Sequence, residues 1–574
     1  MKIKFSDYIF KYLAKKGLDT AFTVSGGAAA HLLDSLGKSK FKYICNNHEQ
    51  ASAMSAESYA RIANKPALVL VTNGPGSTNT LTGVVGAFQD SIPMIIISGQ
   101  VPSSQSMTSY PDLELRQIGV QECNIINIVS SVTKFATKIT DIDTACSTLN
   151  KAYNLAICGR KGPVWLDIPI DIQNKMVDDR YYYDEIPNNE NFIDFKQIEE
   201  KLNQSKKPLI ITGNGIHLSQ TENIFLKFIK KTNIPCVSTW TSKDLFDQAD
   251  PLFIGNFGII GERSANYAVQ NADLILILGS RLSILNVGYE SHLFAPKAYK
   301  IMVDIDQNEI NKPSLSIDLP IVTNLKTFFE AAKDIKSYEN NDWNTELVRI
   351  KNEKDIFKEP HLEDNFSVNS YRFIEKLSKH IDDHIIVTDM GTSFTCTMQA
   401  LRTNGKNRLF TSSACCSMGY GLPGAIGASL ASNKPIICIA GDGGFQMNIQ
   451  ELQTVITNKI PIKIFVLNNQ GYLAITIMQD NLFDSKYVAS ENKSGVVSPD
   501  FCKIAEAYGL KSIKINNNRD LKLIPEILNE DGPVLCEINM NKNQLIIPRV
   551  QSEKDHLGNI VSNSLEKMFP YITI

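Results

Sequence analysis

Short, uninterrupted apolar runs set the limits on how this chain can fold. Pro435 to Ala440 (PIICIA) and Ile462 to Leu467 (IKIFVL) are too short for buried helices and show no apolar–polar alternation. Each therefore reads as a strand covered on both faces. Gln446 to Thr457, between them, carries helical spacing, so the unit is strand–helix–strand with parallel strands. The alternation recurs in three blocks. The first runs to about Asp171, with apolar runs at Tyr43–Cys45, Ala67–Thr72, Pro93–Ser98 and Val164–Ile168. The second has Pro208–Thr212, Ile234–Ser238, Leu274–Gly279 and Lys300–Asp304, and the third spans Ser367 to Met540. The expected fold class is α/β, three consecutive doubly wound parallel-sheet domains at residues 1–175, 190–335 and 365–545, with a less regular tail at 546–574. The acidic, aromatic stretch Asn174 to Phe192 reads as a linker, and the polar stretch Lys336 to Asn365 as a second junction.

Bulk properties narrow the function. At 574 residues the chain exceeds what one core can serve. The net charge of −3 gives no nucleic-acid footprint. No apolar run approaches the roughly 20 residues that span a bilayer, which argues against a membrane protein. The amino terminus (MKIKFSDYIFKYLAKKG) is an amphipathic first helix in pattern, without the apolar core of a signal peptide. The 11 cysteines form no metal-binding spacing and suit reduced thiols in a cytoplasmic protein.

The chemistry concentrates at strand ends. Asp442 lies between glycines at the end of one predicted strand, and Asn469 follows it by 27 residues at the end of the next. Ligands of open α/β sheets bind at that edge. Flanking glycines let backbone amides approach a phosphate. An Asp and an Asn there are hard oxygen donors suited to Mg²⁺, which keeps phosphate oxygens in its shell. The alternative is an ordinary βαβ unit with a fortuitous Gly-Asp-Gly. His48-Glu49-Gln50 opens a predicted helix, where a Glu also simply complements the dipole. Gly74-Pro75-Gly76 is a tight turn on its own terms.

The spacing from Gly441-Asp442-Gly443 to Asn468-Asn469 resembles the cofactor signature of thiamine diphosphate (ThDP) enzymes. HEQASAMSAESYARIANKPALVLVTNGPGSTN, SIPMIIISGQV, GRKGPVWLDIPIDIQ, ANYAVQNADLILILGSRL, KIMVDIDQNEI and SMGYGLPGAIGASL all resemble acetolactate synthase segments. The resemblance implies that Asp442, Asn469 and the Gly471 carbonyl hold Mg²⁺. It implies coenzyme contacts from Gly26, Pro75, Gly76, Thr392, Ser393, Gly443, Gly444 and Tyr472. Glu49 takes the place of the glutamate that faces N1′ of the aminopyrimidine, and burial would favour its protonated form. Met418 takes that of the apolar wedge that bends the coenzyme, and Cys416 that of the carbonyl facing its amino group. Gln121 and Lys134 match polar residues near the substrate. In the central domain, Gly213, Gly215, Gly258, Gly261, Gly279, Arg281 and Asp304 match positions around an FAD, while Ile260 stands where that family has a histidine. A homodimer or homotetramer is implied, because Glu49 and the Gly-Asp-Gly motif meet across a subunit interface in this family.

Departures bear on the substrate. Leu285 stands where acetolactate synthases place an arginine that grips the acceptor carboxylate, and Met478 where a tryptophan lines the acceptor pocket; Met390 is a third candidate for that pocket. The tail NQLIIPRVQSEKDHLGNIVSNSLEKMFPYI resembles a branch tied to surface polysaccharides, in which an acyl unit from pyruvate joins a nucleotide-activated keto-sugar. The expected reaction is decarboxylation of a 2-ketoacid with transfer to such a carbonyl acceptor. A true acetolactate synthase, a simple 2-ketoacid decarboxylase and a silent cofactor-binding scaffold remain as alternatives.

Overall fold

The computed structural model describes residues 2–180, 193–339, 341–554, 556–557 and 559–572. Most of the expected linker, 181–192, lies outside the described residues.

Three six-stranded sheets follow one another, and every strand pair within them is parallel. The first sheet contains β1 (Thr20–Thr23), β2 (Lys42–Cys45), β3 (Ala67–Val71), β4 (Met94–Gln100), β5 (Phe135–Lys138) and β6 (Pro163–Pro169), in the order β2-β1-β3-β4-β6-β5. The second contains β7 (Pro208–Thr212), β8 (Cys236–Ser238), β9 (Phe253–Asn256), β10 (Leu274–Leu278), β11 (Tyr299–Asp304) and β12 (Leu319–Val322), in the order β9-β8-β7-β10-β11-β12. The third contains β13 (Ile385–Thr388), β14 (Arg408–Phe410), β15 (Ile436–Gly441), β16 (Ile462–Asn468), β17 (Lys511–Ile515) and β18 (Val534–Asn539), in the order β14-β13-β15-β16-β18-β17. The first and third sheets thus share one topology. The middle sheet has the dinucleotide-fold order. The expectation of consecutive doubly wound parallel sheets is borne out.

The apolar runs located the best-buried strands. β3, β7, β10 and most of β15 are buried along their length because helices cover both sheet faces. Strands such as β5 (FATK) and β17 (KSIKI) carry polar residues, and no apolar run marks them. Lys2–Lys4 is a short strand, and the first helix begins only at Phe5. The polar junction after Lys336 contains the helix Asn341–Glu353, which buries Trp343, Leu347 and Ile350. No helix among the described residues is long and apolar enough to cross a membrane.

Six helices position the site: α1 (Glu49–Ala63), α2 (Thr392–Ala400), α3 (Gly421–Ala431), α4 (Asp442–Met447), α5 (Glu451–Thr457) and α6 (Leu473–Leu482). The single helix expected over Gln446–Thr457 is instead α4 and α5, broken at Asn448–Gln450. Asn448 is drawn out of helical register because its amide donates to Gly419 O (2.8 Å) and Gln50 Oε1 (3.0 Å). The tail also has a firm seat. The Arg263 guanidinium, 1% exposed, pairs with Glu359 and donates to Met568 O and Pro570 O, and Val550, Leu565 and Met568 enter the central core.

The first and third domains lock together through α1 and α3. Ser55 Oγ donates to Pro423 O (2.9 Å) and Ser58 Oγ to Gly424 O (2.6 Å). A Cβ on Gly427 would fall 2.0 Å from Ser55 O, so only glycine permits this approach. Gly427→Val therefore forces the helices apart, a cost of roughly 1–3 kcal/mol for overpacking. Scanning calorimetry should show an earlier unfolding transition, and an unchanged thermogram would contradict the packing argument.

Candidate active site

Strand order in the third sheet reverses between β13 and β15, and the chain segments leaving these two strands form a gap at the carboxyl edge. Asp389, directly after β13, is fully buried and accepts from the amides of Met390 (2.8 Å), Gly419 (3.0 Å) and Gly421 (2.9 Å). Burial pushes its pKa up to about 6. It holds the segment that opens α2 beside the loop that opens α3, and α4 packs against it. Gly444 must be glycine, since a Cβ there would lie 2.3 Å from Asp389 Oδ1.

A cavity of about 260 Å³ fills the gap. Thr392 and Ser393 line it from the amino terminus of α2, with Met390 just before them. Gly443, Gly444, Asn469, Gly471 and Tyr472 line it from the β15 and β16 edge, and Cys416 and Met418 from the loop before α3. A Cβ on Gly443 would sit 2.2 Å from the Tyr472 ring and 3.4 Å from Met418 Cε, so these three residues meet in one wall. Cys416 adopts a left-handed backbone (φ 55°). Its thiol donates to Ser413 O at 3.2 Å, and burial pushes its pKa up to about 11, so it stays protonated and unreactive.

Asp442 is the charged residue of this cavity. Its side chain is 2% exposed. Oδ1 accepts from Gly443 N (2.9 Å), and Oδ2 from Gly471 N (3.1 Å) and Ser498 Oγ (2.7 Å). Among the described residues no lysine, arginine or histidine pairs with it, and burial raises its pKa above the usual carboxylate range. A buried carboxylate beside Asn469, with no cation of its own, is a fitting place for a divalent metal carrying phosphate. Ser498 lies in a loop 56 residues downstream, and nothing in its sequence context marks it.

The first domain assembles a second cluster at its own reversal point, between β1 and β3. Glu49 is the first residue of α1, after the N-cap His48, whose Nδ1 accepts from Gln50 N at 3.0 Å. Its carboxylate accepts from Asn79 Nδ2 (2.9 Å), another partner that the sequence did not disclose. A Cβ on Gly76 would approach Glu49 Oε1 to 3.8 Å, and one on Gly26 would strike Thr72 at 2.4 Å. Gly74 (φ 58°) lies against the Gln121 carbonyl, and Pro75 starts the short helix that follows it. Gln121 is exposed with φ 61°. Glu49 is only partly buried within one chain, so the deep burial expected for it is not met there. Lys134 does not join this cluster. It precedes β5 at the opposite edge of the sheet, where Nζ donates to Cys158 O at 2.6 Å. Lys138, at the carboxyl end of β5, reaches the catalytic edge instead, donating to Ser106 and Thr108.

Among the described residues, none of the first domain lines the 260 Å³ cavity within one chain. The loop carrying Glu49 is nevertheless pinned to the third domain. The Glu451 carboxylate accepts from Asn46 Nδ2 and Asn47 N, both at 2.9 Å.

A larger cavity, about 550 Å³, opens at the reversal point of the central sheet, between β7 and β10. Gly213, Gly215, Gly279, Arg281 and Asp304 line it. A Cβ on Gly215 would sit 2.7 Å from Gly279 Cα, so the two turns touch through backbone alone. Burial pushes Asp304 up to about 6. Asn214 Oδ1 and Gln89 Oε1, buried and without hydrogen-bond partners among the described residues, belong to residues of its wall. Gly258 and Gly261 stand apart from the cavity and serve a close turn: a Cβ on Gly258 would meet Leu285 O at 2.6 Å, and one on Gly261 would meet Gly258 N at 2.7 Å. The three acceptor-pocket residues are separated. Met390 lines the smaller cavity and Leu285 the larger, although both pack on the third-domain core, while Met478 on α6 is 41% exposed and lines neither.

Comparison with known proteins accounts for this arrangement. Residues 3–123 match the thiamine pyrophosphate enzyme N-terminal TPP binding domain, 195–332 the central domain, and 389–538 the C-terminal TPP binding domain. The chain is 31% identical to the acetolactate synthase large subunit of Lactococcus lactis over 95% of this chain and 94% of the relative. It is 30% identical to the acetolactate synthase isozyme 1 large subunit of Escherichia coli, over 95% of each. With the mitochondrial catalytic subunit of Saccharomyces cerevisiae it shares 30% over 94% of this chain and 81% of the relative. The chain belongs to the ThDP-dependent, acetolactate synthase-like enzymes, and it is a carboligase or transferase of that kind.

Removing the Asp442 charge tests the clamp. Asp442→Asn should weaken Mg²⁺-dependent ThDP binding on the order of 100-fold, the scale for loss of one partner of a buried charge pair. Equilibrium titration of the coenzyme at fixed Mg²⁺ would measure it, and an unchanged dissociation constant would remove Asp442 from the metal site.

Proposed function

We propose that this enzyme decarboxylates a 2-ketoacid, pyruvate in the first instance, and transfers the acyl unit to the carbonyl of an uncharged or remotely charged acceptor such as a nucleotide-activated keto-sugar. The observation that carries the acceptor reading is the composition of the 260 Å³ cavity: no lysine, arginine or histidine is among its lining residues. A second 2-ketoacid would bring a carboxylate for which this wall offers no cation, and an unpaired buried charge costs several kcal/mol. Leu285, where the related enzymes are expected to carry arginine, lines the larger cavity and brings no cation to the smaller one.

ThDP, when bound, would supply a nucleophilic carbon and a cationic ring that serves as the electron sink for decarboxylation. Asp442, Asn469 and the Gly471 carbonyl would hold Mg²⁺, and the amides opening α2 would receive the diphosphate. Met418, against Gly443 and Tyr472, would fix the bend of the coenzyme. Glu49 would hold a proton at the aminopyrimidine, kept in place by Asn79 on one side and by the Glu451-anchored loop on the other. Because no first-domain residue lines the coenzyme cavity of its own chain, we infer that Glu49 acts on the site of a second copy, in a homodimer or a tetramer built from it. The apolar wall formed by Met390, Leu473 and Ile475 would disfavour the ionised carboxylate of the bound ketoacid and so favour its loss. The 550 Å³ cavity, with its backbone-to-backbone glycine turns and unpartnered amide oxygens, suits an FAD. The eleven free cysteines suit a reducing, cytoplasmic setting.

A second reading, a true acetolactate synthase, follows from the named relatives. Product analysis separates the two. Pyruvate with a keto-sugar nucleotide should give a branched product by mass spectrometry, and rapid acetolactate formation from pyruvate alone would overturn the proposal. Glu49→Gln should lower turnover roughly 10²–10⁴-fold in either case, the range for loss of a positioned acid–base group. Purified protein should show the flavin bands in its visible spectrum, and their absence after reconstitution with excess FAD would remove flavin from the larger cavity.

A further inference from the structure

Residues 239–245 of the central domain cross into the third. Thr239, Trp240 and Thr241 line the 550 Å³ cavity. The Trp240 ring stands edge-on to Phe394 of α2, with centroids 4.7 Å apart and planes at 90°. Asp244, buried, accepts from Leu409 N at 2.8 Å and pairs with Arg408 and His217. Between them Lys243 is 1% exposed, and its Nζ donates to Met398 O (2.8 Å) and Gln399 O (2.9 Å). These carbonyls belong to the last turn of α2, where a helix cannot satisfy its own acceptors. A whole cation therefore caps the carboxyl end of the helix whose amino end, Gly391 to Ser393, lines the coenzyme cavity. The helix is nine residues long, about 13 Å.

We propose that Lys243 is a positioning residue for the coenzyme diphosphate, fixing α2 by capping its carboxyl end so that the opposite end presents its amides to the anion. The proposal rests on the reading of the 260 Å³ cavity as the diphosphate site. The physical argument is preorganisation. A helix held at one end by a buried ammonium and edge-packed on Trp240 cannot slide or fray when its other end is loaded with negative charge. A cation at the carboxyl end also reinforces the field that draws an anion to the amino end. The groups facing Nζ are Glu262, 3.7 Å away, and the Arg402–Asp355 ion pair beyond the end of α2. Burial, partly offset by Glu262, lowers the Lys243 pKa to about 8. The charged cap is thus present below pH 8 and is lost as pH rises through that value.

The test uses full-length protein stripped of coenzyme, with Mg²⁺ and inorganic pyrophosphate as the probe, by isothermal titration well below the unfolding temperature. Lys243→Met should weaken pyrophosphate binding roughly 2- to 30-fold, the span of helix-terminal charge effects. Lys243→Arg, which keeps the cation, should recover most of that loss. The ratio of wild-type to Lys243→Met affinity should fall towards one above pH 8. Should Lys243→Met fail to fold, Glu262→Gln provides the second arm: it withdraws the charge that supports the ammonium, and the pH midpoint of pyrophosphate affinity should move lower than in the wild type. Equal affinities for wild type and Lys243→Met, a ratio that ignores pH, or an unmoved midpoint in Glu262→Gln would each reduce Lys243 to a structural tie and overturn the proposal. A wild type that binds neither pyrophosphate nor ThDP would instead overturn the coenzyme reading, and the proposal with it.

Discussion

A parallel sheet whose strand order reverses part-way leaves a gap at its carboxyl edge, and this protein builds around three such gaps. Between β1 and β3 the gap holds Glu49, Gly76 and Gln121; between β13 and β15 it holds Asp442 and the opening of α2; between β7 and β10 it holds the larger cavity. The same topological accident supplies a carboxyl, a cavity that opens on a helix amino terminus and a larger cleft. That the first and third sheets share one strand order while the second differs matches this division. The two like sheets carry Glu49 and Asp442, and the unlike one carries the larger cavity.

Much of this was legible in the chain. Apolar runs with no alternation gave the parallel class, and the glycines around Asp442 and before Gly76 marked two of the three edges. What was not legible had physical causes. The break between α4 and α5 arises because Asn448 is claimed by Gly419 and Gln50, partners 29 and 398 residues away. Asn79 and Ser498 reach the site through single hydrogen bonds across the fold, and no periodicity records that. Lys134 and Lys138 are four residues apart at opposite ends of one short strand, so a match by sequence neighbourhood cannot say which reaches the catalytic edge. The three expected acceptor residues were grouped by resemblance alone, and the fold divides them between two cavities and a helix surface.

The distribution of charge within the coenzyme cavity follows a consistent logic. Negative charge there is confined to one buried carboxylate, whose neighbours are amides and a hydroxyl rather than cations. Positive charge has been moved outside, to the far end of α2, where Lys243 meets carbonyls instead of substrate. A pocket arranged this way can take a metal and a diphosphate while leaving its reacting end apolar, a combination that disfavours an ionised carboxylate and favours its departure as neutral CO₂.

The seat of the tail has a consequence for how the protein is made. Arg263, in the middle of the sequence, is satisfied by Glu359 and by carbonyls at residues 568 and 570, and the central core is closed by Leu565 and Met568. A nascent chain that has emerged only as far as the central domain therefore carries an unclosed apolar face and an arginine awaiting its acceptors. The second domain to be synthesised is the last to be finished.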